Sequence, residues 1–142
     1  MESERRARYA ARDVTDKLGL KPGQTVRVVG AGSHPLLDKI RGRTGKRFCG
    51  AYSTADVVLY WPRSGDEVAS TLQTLKETIA PDGGIWVISA KRGKDIPNHR
   101  PYLPDTVLIP LGLSAGLVDN KICSISEVET AMRFVIRRKD RR

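Results

Sequence analysis

The sequence predicts an α/β fold: a small, open, mostly parallel sheet with helices on both faces and a C-terminal antiparallel hairpin. Three observations predict it. Ala55-Asp56-Val57-Val58-Leu59-Tyr60-Trp61 and Ile85-Trp86-Val87-Ile88-Ser89 are nearly unbroken apolar runs, the pattern of strands buried on both faces. Between them Val68, Leu72, Leu75 and Ile79 recur at helical spacing, behind a Ser64 and Glu67 pair spaced as a capping box. Strand, helix and strand in that order make a right-handed crossover with parallel strands.

The other elements follow along the chain. Ala7, Ala10, Ala11, Val14 and Leu18 form one helical stripe that Gly19 ends and Pro22 blocks. Thr25-Val26-Arg27-Val28-Val29 has the β-branched content of a strand. Gly30-Ala31-Gly32-Ser33-His34-Pro35 is a loop, Leu36 to Ile40 opens a short helix, and Arg47-Phe48-Cys49-Gly50 is expected as a brief strand. Pro81-Asp82-Gly83-Gly84 reads as a tight turn. Pro97, Pro101 and Pro104 make residues 91–105 a long loop, and loops of that length are often functional. Residues 111–117 read as a short helix. Lys121-Ile122-Cys123-Ser124-Ile125 and Met132-Arg133-Phe134-Val135-Ile136 are the hairpin strands. The second sets Met132, Phe134 and Ile136 against Arg133, Val135 and Arg137, a wetter face expected near a sheet edge. The division expected is an N-terminal amphipathic helix over 1–20, an α/β domain over 21–138 and a basic tail over 139–142.

Composition narrows the function classes. A chain of 142 residues with 39% hydrophobic and 29% charged residues suits one globular domain and excludes disordered, collagenous and disulfide-rich classes. No apolar run approaches the about 18 residues of a membrane span. The first six residues lack the apolar core of a secretory signal, so a cytoplasmic location is expected. Cys49 and Cys123 stand far apart, and with only His34 and His99 as histidines there is no raw material for a zinc site. The 25 Lys and Arg against 16 Asp and Glu leave a charge of +9, which attracts nucleic acid or small anionic ligands. The surplus clusters at Lys39, Arg41, Arg43, Lys46 and Arg47, at Lys91, Arg92, Lys94 and Arg100, and at Arg137, Arg138, Lys139, Arg141 and Arg142. Isolated charge runs are usually solvated faces, so their convergence on one face is what would matter.

The order of strand, glycine loop, helix, βαβ unit, helix and closing hairpin resembles the class I methyltransferase fold, which is Rossmann-like. Leu20-Lys21-Pro22-Gly23-Gln24, Ala80-Pro81-Asp82-Gly83-Gly84 and Ala115-Gly116-Leu117-Val118 are similar to phrases of that superfamily. From residues 18 to 140 the chain resembles a bacterial family of small domains, domain-of-unknown-function family three-zero-five-two. The resemblance is most specific in Ala55-Asp56-Val57-Val58 and in the nine residues from Ala115 to Cys123. Members often carry a tryptophan where this chain has Glu129. The resemblance implies a pared-down Rossmann-like sheet and supplies no catalytic residues.

The candidate binding residues are Gly30, Gly32, Ser33, Tyr60, Trp61 and Arg63. Gly30 and Gly32 form a GxG after the first strand, where a backbone can approach an adenosyl or phosphate-bearing ligand closely. Glycine is also what any tight strand-to-helix turn requires. Pro35 stands where a dinucleotide fingerprint wants its third glycine, and residues 48–54 hold no acid for ribose hydroxyls. The chain from Gly30 to Asp56 is too short for the two further βα units of a full methyltransferase. Tyr60-Trp61-Pro62-Arg63 ends a strand where open α/β sheets place ligands, in the position of the catalytic tetrapeptide of amino-directed methyltransferases, but lacks its leading Asn or Asp. A packed aromatic pair is the favoured role there; in a binding role Tyr60 and Trp61 offer stacking surface and Arg63 a cation. His34 shows no acid at any visible spacing, so an exposed loop histidine is expected. Ser33 beside His34 makes no catalytic pair, and no GxSxG elbow precedes a helix, which disfavours hydrolase chemistry.

The leading expectation is therefore a non-catalytic module that binds a protein or a small anionic ligand at the strands' carboxyl edge, with a degenerate cofactor site. Nucleic-acid binding through the basic clusters is one alternative, although 6% aromatic residues leave few stacking platforms. A small methyltransferase using S-adenosylmethionine is the other. A swapped-hairpin DNA-binding barrel is discarded because the helix over 64–80 and its buried flanking strands do not fit it.

Overall fold

The computed structural model describes residues 13–94 and 100–141. Ala7, Ala10 and Ala11 of the expected first helix, together with Pro97, His99 and Arg142, lie outside them. The described end of that helix is one turn, α1 (Val14–Lys17), capped by the Asp13 side chain. It is followed by β1 (Val26–Val29), α2 (Leu36–Thr44), β2 (Ala55–Tyr60), a 3-10 turn (Gly65–Glu67), α3 (Val68–Lys76) and β3 (Ile79–Ala90). Then come α4 (Asp105–Ser114), β4 (Leu117–Ser124), β5 (Glu129–Ile136) and a last 3-10 turn (Arg138–Asp140).

The five strands form one sheet in the order β1-β2-β3-β5-β4. β1, β2 and β3 run parallel, with Val28 beside Leu59 and Leu59 beside Trp86. β5 is antiparallel to β3, and β4 to β5. The sheet is therefore mixed, which corrects the expectation of a mostly parallel one. The reason is topological: the closing hairpin contributes two strands and only three precede it.

The two faces carry separate cores. Val58, Tyr60, Ile85, Val87 and Phe134 pack against Val68, Leu72 and Leu75 of α3 and Leu108 of α4. On the other face Val57, Leu59, Trp61, Trp86 and Ile88 pack against Leu18, Leu20, Leu36 and Ile40. Side chains alternate across a strand, so one uninterrupted apolar run supplies both cores. The Trp86 indole donates to the Leu18 carbonyl at 3.2 Å, tying the α1 turn to the sheet.

Several local expectations change. The capping box forms, with Ser64 and Glu67 satisfying each other's backbone, but Ile79 leaves the helical stripe to begin β3. Residues 81–84 lie within β3 around an irregularity in its pairing with β2, and do not form a free turn. Residues 47–50 are not a strand; the Cys49 amide alone donates to the Val26 carbonyl, at 2.9 Å. The helix expected at 111–117 starts at Asp105 and carries Pro110 inside it. β5 is interior, and β4, like β1, is an edge strand. Arg133 of β5, expected on a wet face, lies over Gly84, where a Cβ would strike its guanidinium.

Candidate functional site

β1, β2 and β3 end together at one rim, and the chain folds its own side chains over it. After β1, Gly30 has φ +78°, and a Cβ there would collide with the carbonyl oxygen of Trp61. The Trp61 amide donates to the Val29 carbonyl at 2.9 Å. The glycine turn and the end of β2 are thus side by side, and packing on the Trp61 backbone is what Gly30 serves.

His34 is brought to this place by the same loop. The Leu36 amide donates to His34 Nδ1 at 3.1 Å, so the imidazole proton belongs on Nε2. Nε2 lies 2.7 Å from Glu129 Oε1, and the Trp61 indole Nε1 donates to Glu129 Oε2 at 3.1 Å. The His34 and Trp61 rings are 4.9 Å apart. Glu129 therefore spends one oxygen on each ring. His34 is not an exposed loop histidine: its side chain is only 16% accessible and that of Glu129 8%. The pairing was invisible in the sequence because the partners are 95 residues apart.

Arg100 closes the rim from above, donating to the Trp61 carbonyl at 3.2 Å. Burial lowers its pKa, Glu129 and Glu67 oppose that, and Arg63 adds to it. The segment after it returns along β3: the Ala90 amide donates to the Pro101 carbonyl, and Tyr102 bridges Ala90 in parallel. On the opposite face the Tyr60 hydroxyl donates to Glu67 Oε2 at 2.9 Å, and burial pushes that phenol well above its usual pKa.

The sequence-derived candidates thus divide. Gly30 and Trp61 meet, while Tyr60 and Trp61 are fully buried and present no free ring face for stacking. Gly32, with φ +60° and open space about it, Ser33 and Arg63 are at the surface. Sequence reasoning gave no site role to Glu129, noted only as a departure from the tryptophan of family members, or to Arg100, noted only in a basic cluster.

A cavity of about 420 Å³ opens farther along the same rim, past the ends of β3 and β5 and against the start of α4. Lys91, Arg92, Tyr102, Asp105, Thr106 and Thr130 line it. A smaller one of about 200 Å³, lined by Asp56, Asp82, Lys121 and Arg133 among others, lies at the opposite end of the parallel strands.

The basic clusters do not gather on one surface. Lys39, Arg41 and Arg43 pair with Asp13, Asp38 and Asp16, and Lys46 donates to the Gly23 carbonyl and the Thr25 hydroxyl. Lys91 and Arg92 follow the carboxyl end of β3, whereas Arg137 and Arg138 follow antiparallel β5 at the other end. Among the described residues no three His, Cys, Asp or Glu side chains gather to hold a metal, and no helix is long and apolar enough to cross a membrane.

The mixed sheet, with its glycine turn at the carboxyl rim, defines an α/β protein of the methyltransferase-like fold. A methyltransferase from Aquifex aeolicus described as SAM-dependent superposes with TM-score 0.67 at 16% identity, covering 87% of this chain and 88% of that one. CalO1, a methyltransferase in calicheamicin biosynthesis in its SAH-bound form, gives 0.63 at 16% identity over 87% of this chain. The O-methyltransferase NcsB1 from neocarzinostatin biosynthesis gives 0.62 at 16% identity over 85%. The chain spans 52% and 51% of the latter two, and at these identities the likeness is one of fold. No curated protein matches in sequence. Over residues 15–138 the chain matches the family described as "Protein of unknown function (DUF3052)", and it belongs to that family.

The residues present do not fit an adenosyl cofactor at the glycine turn. β1 is an edge strand, so among the described residues no strand on its outer side brings an acid to ribose hydroxyls, and Glu129, a buried acid at this rim, is committed to His34 and Trp61.

Proposed function

We propose that this protein is a non-catalytic binding module on a methyltransferase-like fold, holding a small anionic ligand at the carboxyl rim of its sheet. The observation that carries this reading is the His34–Glu129–Trp61 lock. It is a satisfied polar network beside the glycine turn, and it leaves the buried Glu129 carboxylate no free oxygen for a ribose. The cations Arg63, Lys91, Arg92 and Arg100 at the same rim, added to a net charge of +9, favour an anion.

Calorimetric titration with S-adenosylmethionine and S-adenosylhomocysteine tests it. No saturable heat is expected from either. Binding at about micromolar Kd, some 8 kcal/mol, would overturn the reading. It would favour instead a small methyltransferase, for which the retained turn at Gly30 beside Trp61 is the supporting feature.

A further inference from the structure

The geometry points to the cavity past β3 and β5 as the ligand's place. We propose that it takes a phosphomonoester carrying a flat ring, the chemical class of the nucleoside monophosphates. This rests on the reading of the protein as a binding module and adds the site and the ligand class.

Four features of the cavity converge. Its volume, about 420 Å³, falls in the range of small-molecule sites. Lys91 and Arg92 supply positive charge, with Lys91 steadied by a 2.7 Å bond from its ammonium to the Ser124 hydroxyl. Tyr102 stands 47% exposed at its wall, with its backbone pinned by the bridge to Ala90, and supplies the aromatic surface on which a flat ring would stack. The start of α4 has no side-chain cap. Its first described helical bonds run from the Val107 and Leu108 amides to the Pro104 carbonyl, so among the described residues the Asp105 and Thr106 amides have no backbone acceptor, as at any helix start that an anion can cap.

A separate observation comes from beneath the wall. The Ser89 hydroxyl is buried, with the residue 1% exposed, and has no hydrogen-bond partner among the described residues. Ser89 faces Thr130 directly across the β3–β5 pair, so the two side chains share a face of the sheet. Thr130 and Ala90, the residue after Ser89, both line the cavity. Buried hydroxyls are ordinarily satisfied; Ser89 lies behind Ala90 and Thr130 and not in the lining itself, so its orphan hydroxyl is one that a ligand oxygen would reach only past Thr130. The Asp105 carboxylate at the same wall opposes a second negative charge and offers an acceptor to sugar hydroxyls, so the phosphate belongs on the Lys91 and Arg92 side.

The test is calorimetry on the full chain with adenosine monophosphate, with adenosine and inorganic phosphate as parallel arms. Saturable binding of the monophosphate is expected, with each fragment at least about tenfold weaker, as loss of one stacked base or one charged contact implies. Tyr102→Ala and Arg92→Ala, both at exposed positions, should each weaken binding by about tenfold while leaving ligand-free melting unchanged. Ser89→Ala should raise the melting temperature of the free protein, by removing an unsatisfied hydroxyl, and weaken the monophosphate. No saturable binding, or an affinity that all three substitutions leave unchanged, would overturn the site. Either result is separable from failure of the module reading, which adenosylmethionine binding alone decides.

Discussion

Replacing Glu129 tests the rim lock most directly. In Glu129→Ala two donors lose their acceptor, the His34 Nε2–H and the Trp61 indole N–H. A buried donor left unpaired costs about 1–3 kcal/mol. Trp61 is fully buried and pays near the upper end, whereas His34, at 16% accessibility, recovers some hydration. The sum is about 3–4 kcal/mol. Glu129→Gln keeps the shape but offers one acceptor oxygen and turns an NH2 toward the second donor. His34 can accept that NH2 at Nε2 only by moving its own proton to Nδ1, where it would face the Leu36 amide. One mismatched pair therefore remains, at about 1–3 kcal/mol. Urea denaturation followed by tryptophan fluorescence reads both values, and each kcal/mol should lower Tm by about 4 °C. In a Trp61→Phe background one donor is already gone, so Glu129→Gln should cost far less, and the difference is the coupling energy. A Glu129→Gln protein within about 0.5 kcal/mol of the parent would refute the lock.

Gly30→Ala should cost more than the about 1–2 kcal/mol of an unhindered left-handed alanine, because its Cβ meets Trp61 as well. Gly32→Ala, in open space, should cost only the conformational part, so equal losses in denaturation would show that Gly30 does not pack on Trp61. Stability should also fall on acidification. The Lys39 ammonium, then the Thr15 hydroxyl and amide, hold the Asp13 carboxyl far below its usual value. Burial pushes Glu67 up, but Tyr60, the Arg63 and Ser64 amides and the Arg63 charge leave it below its usual value. Both carboxyls are depressed in the folded state, so their stabilisation is complete above the unfolded carboxylate range and is lost as pH falls through the folded values. Thermal melts should decline below about pH 5, and an unchanged Tm down to about pH 3 would contradict this. Duplex DNA should give no salt-dependent mobility shift, since the cations sit at both ends of the sheet and several are already paired; affinity falling about one log unit per log unit of salt for each contact would say otherwise.

What the sequence made legible was local. The buried runs over β2 and β3, the capping box at Ser64 and the alternation in β5 each follow from spacing within one segment, and each forms an element. The neighbours of a strand are not encoded that way. Arg133 alternates with apolar residues as a solvent-facing side chain would, yet its guanidinium covers the bare backbone of Gly84 in the next strand. Its strand is accordingly interior. The helix expected at 111–117 begins instead at Asp105 and carries Pro110 within it, a position that local preference disfavours for proline. His34 and Glu129 meet only because the loop after β1 and the start of β5 reach the same rim, a consequence of strand order that no spacing carries.

The short span between Gly30 and Asp56 and the lock at the rim are parts of one arrangement. With no strand outside β1, that edge keeps a single described backbone bond, from the Cys49 amide to the Val26 carbonyl. The glycine turn then has no acid on its open side, and its polar loop turns inward. His34 reaches Glu129 past the Trp61 ring, and Arg100 lies on the Trp61 carbonyl. Each of these contacts satisfies a group that would otherwise face a ligand, so the rim beside β1 is closed by the chain itself. Ser89 is the converse case, a buried hydroxyl left without a partner where the rim opens between β3, β5 and α4. Polar satisfaction beside β1, and its lack beside β3 and β5, are the reason the proposed ligand site lies farther along the same rim and not at the glycine turn.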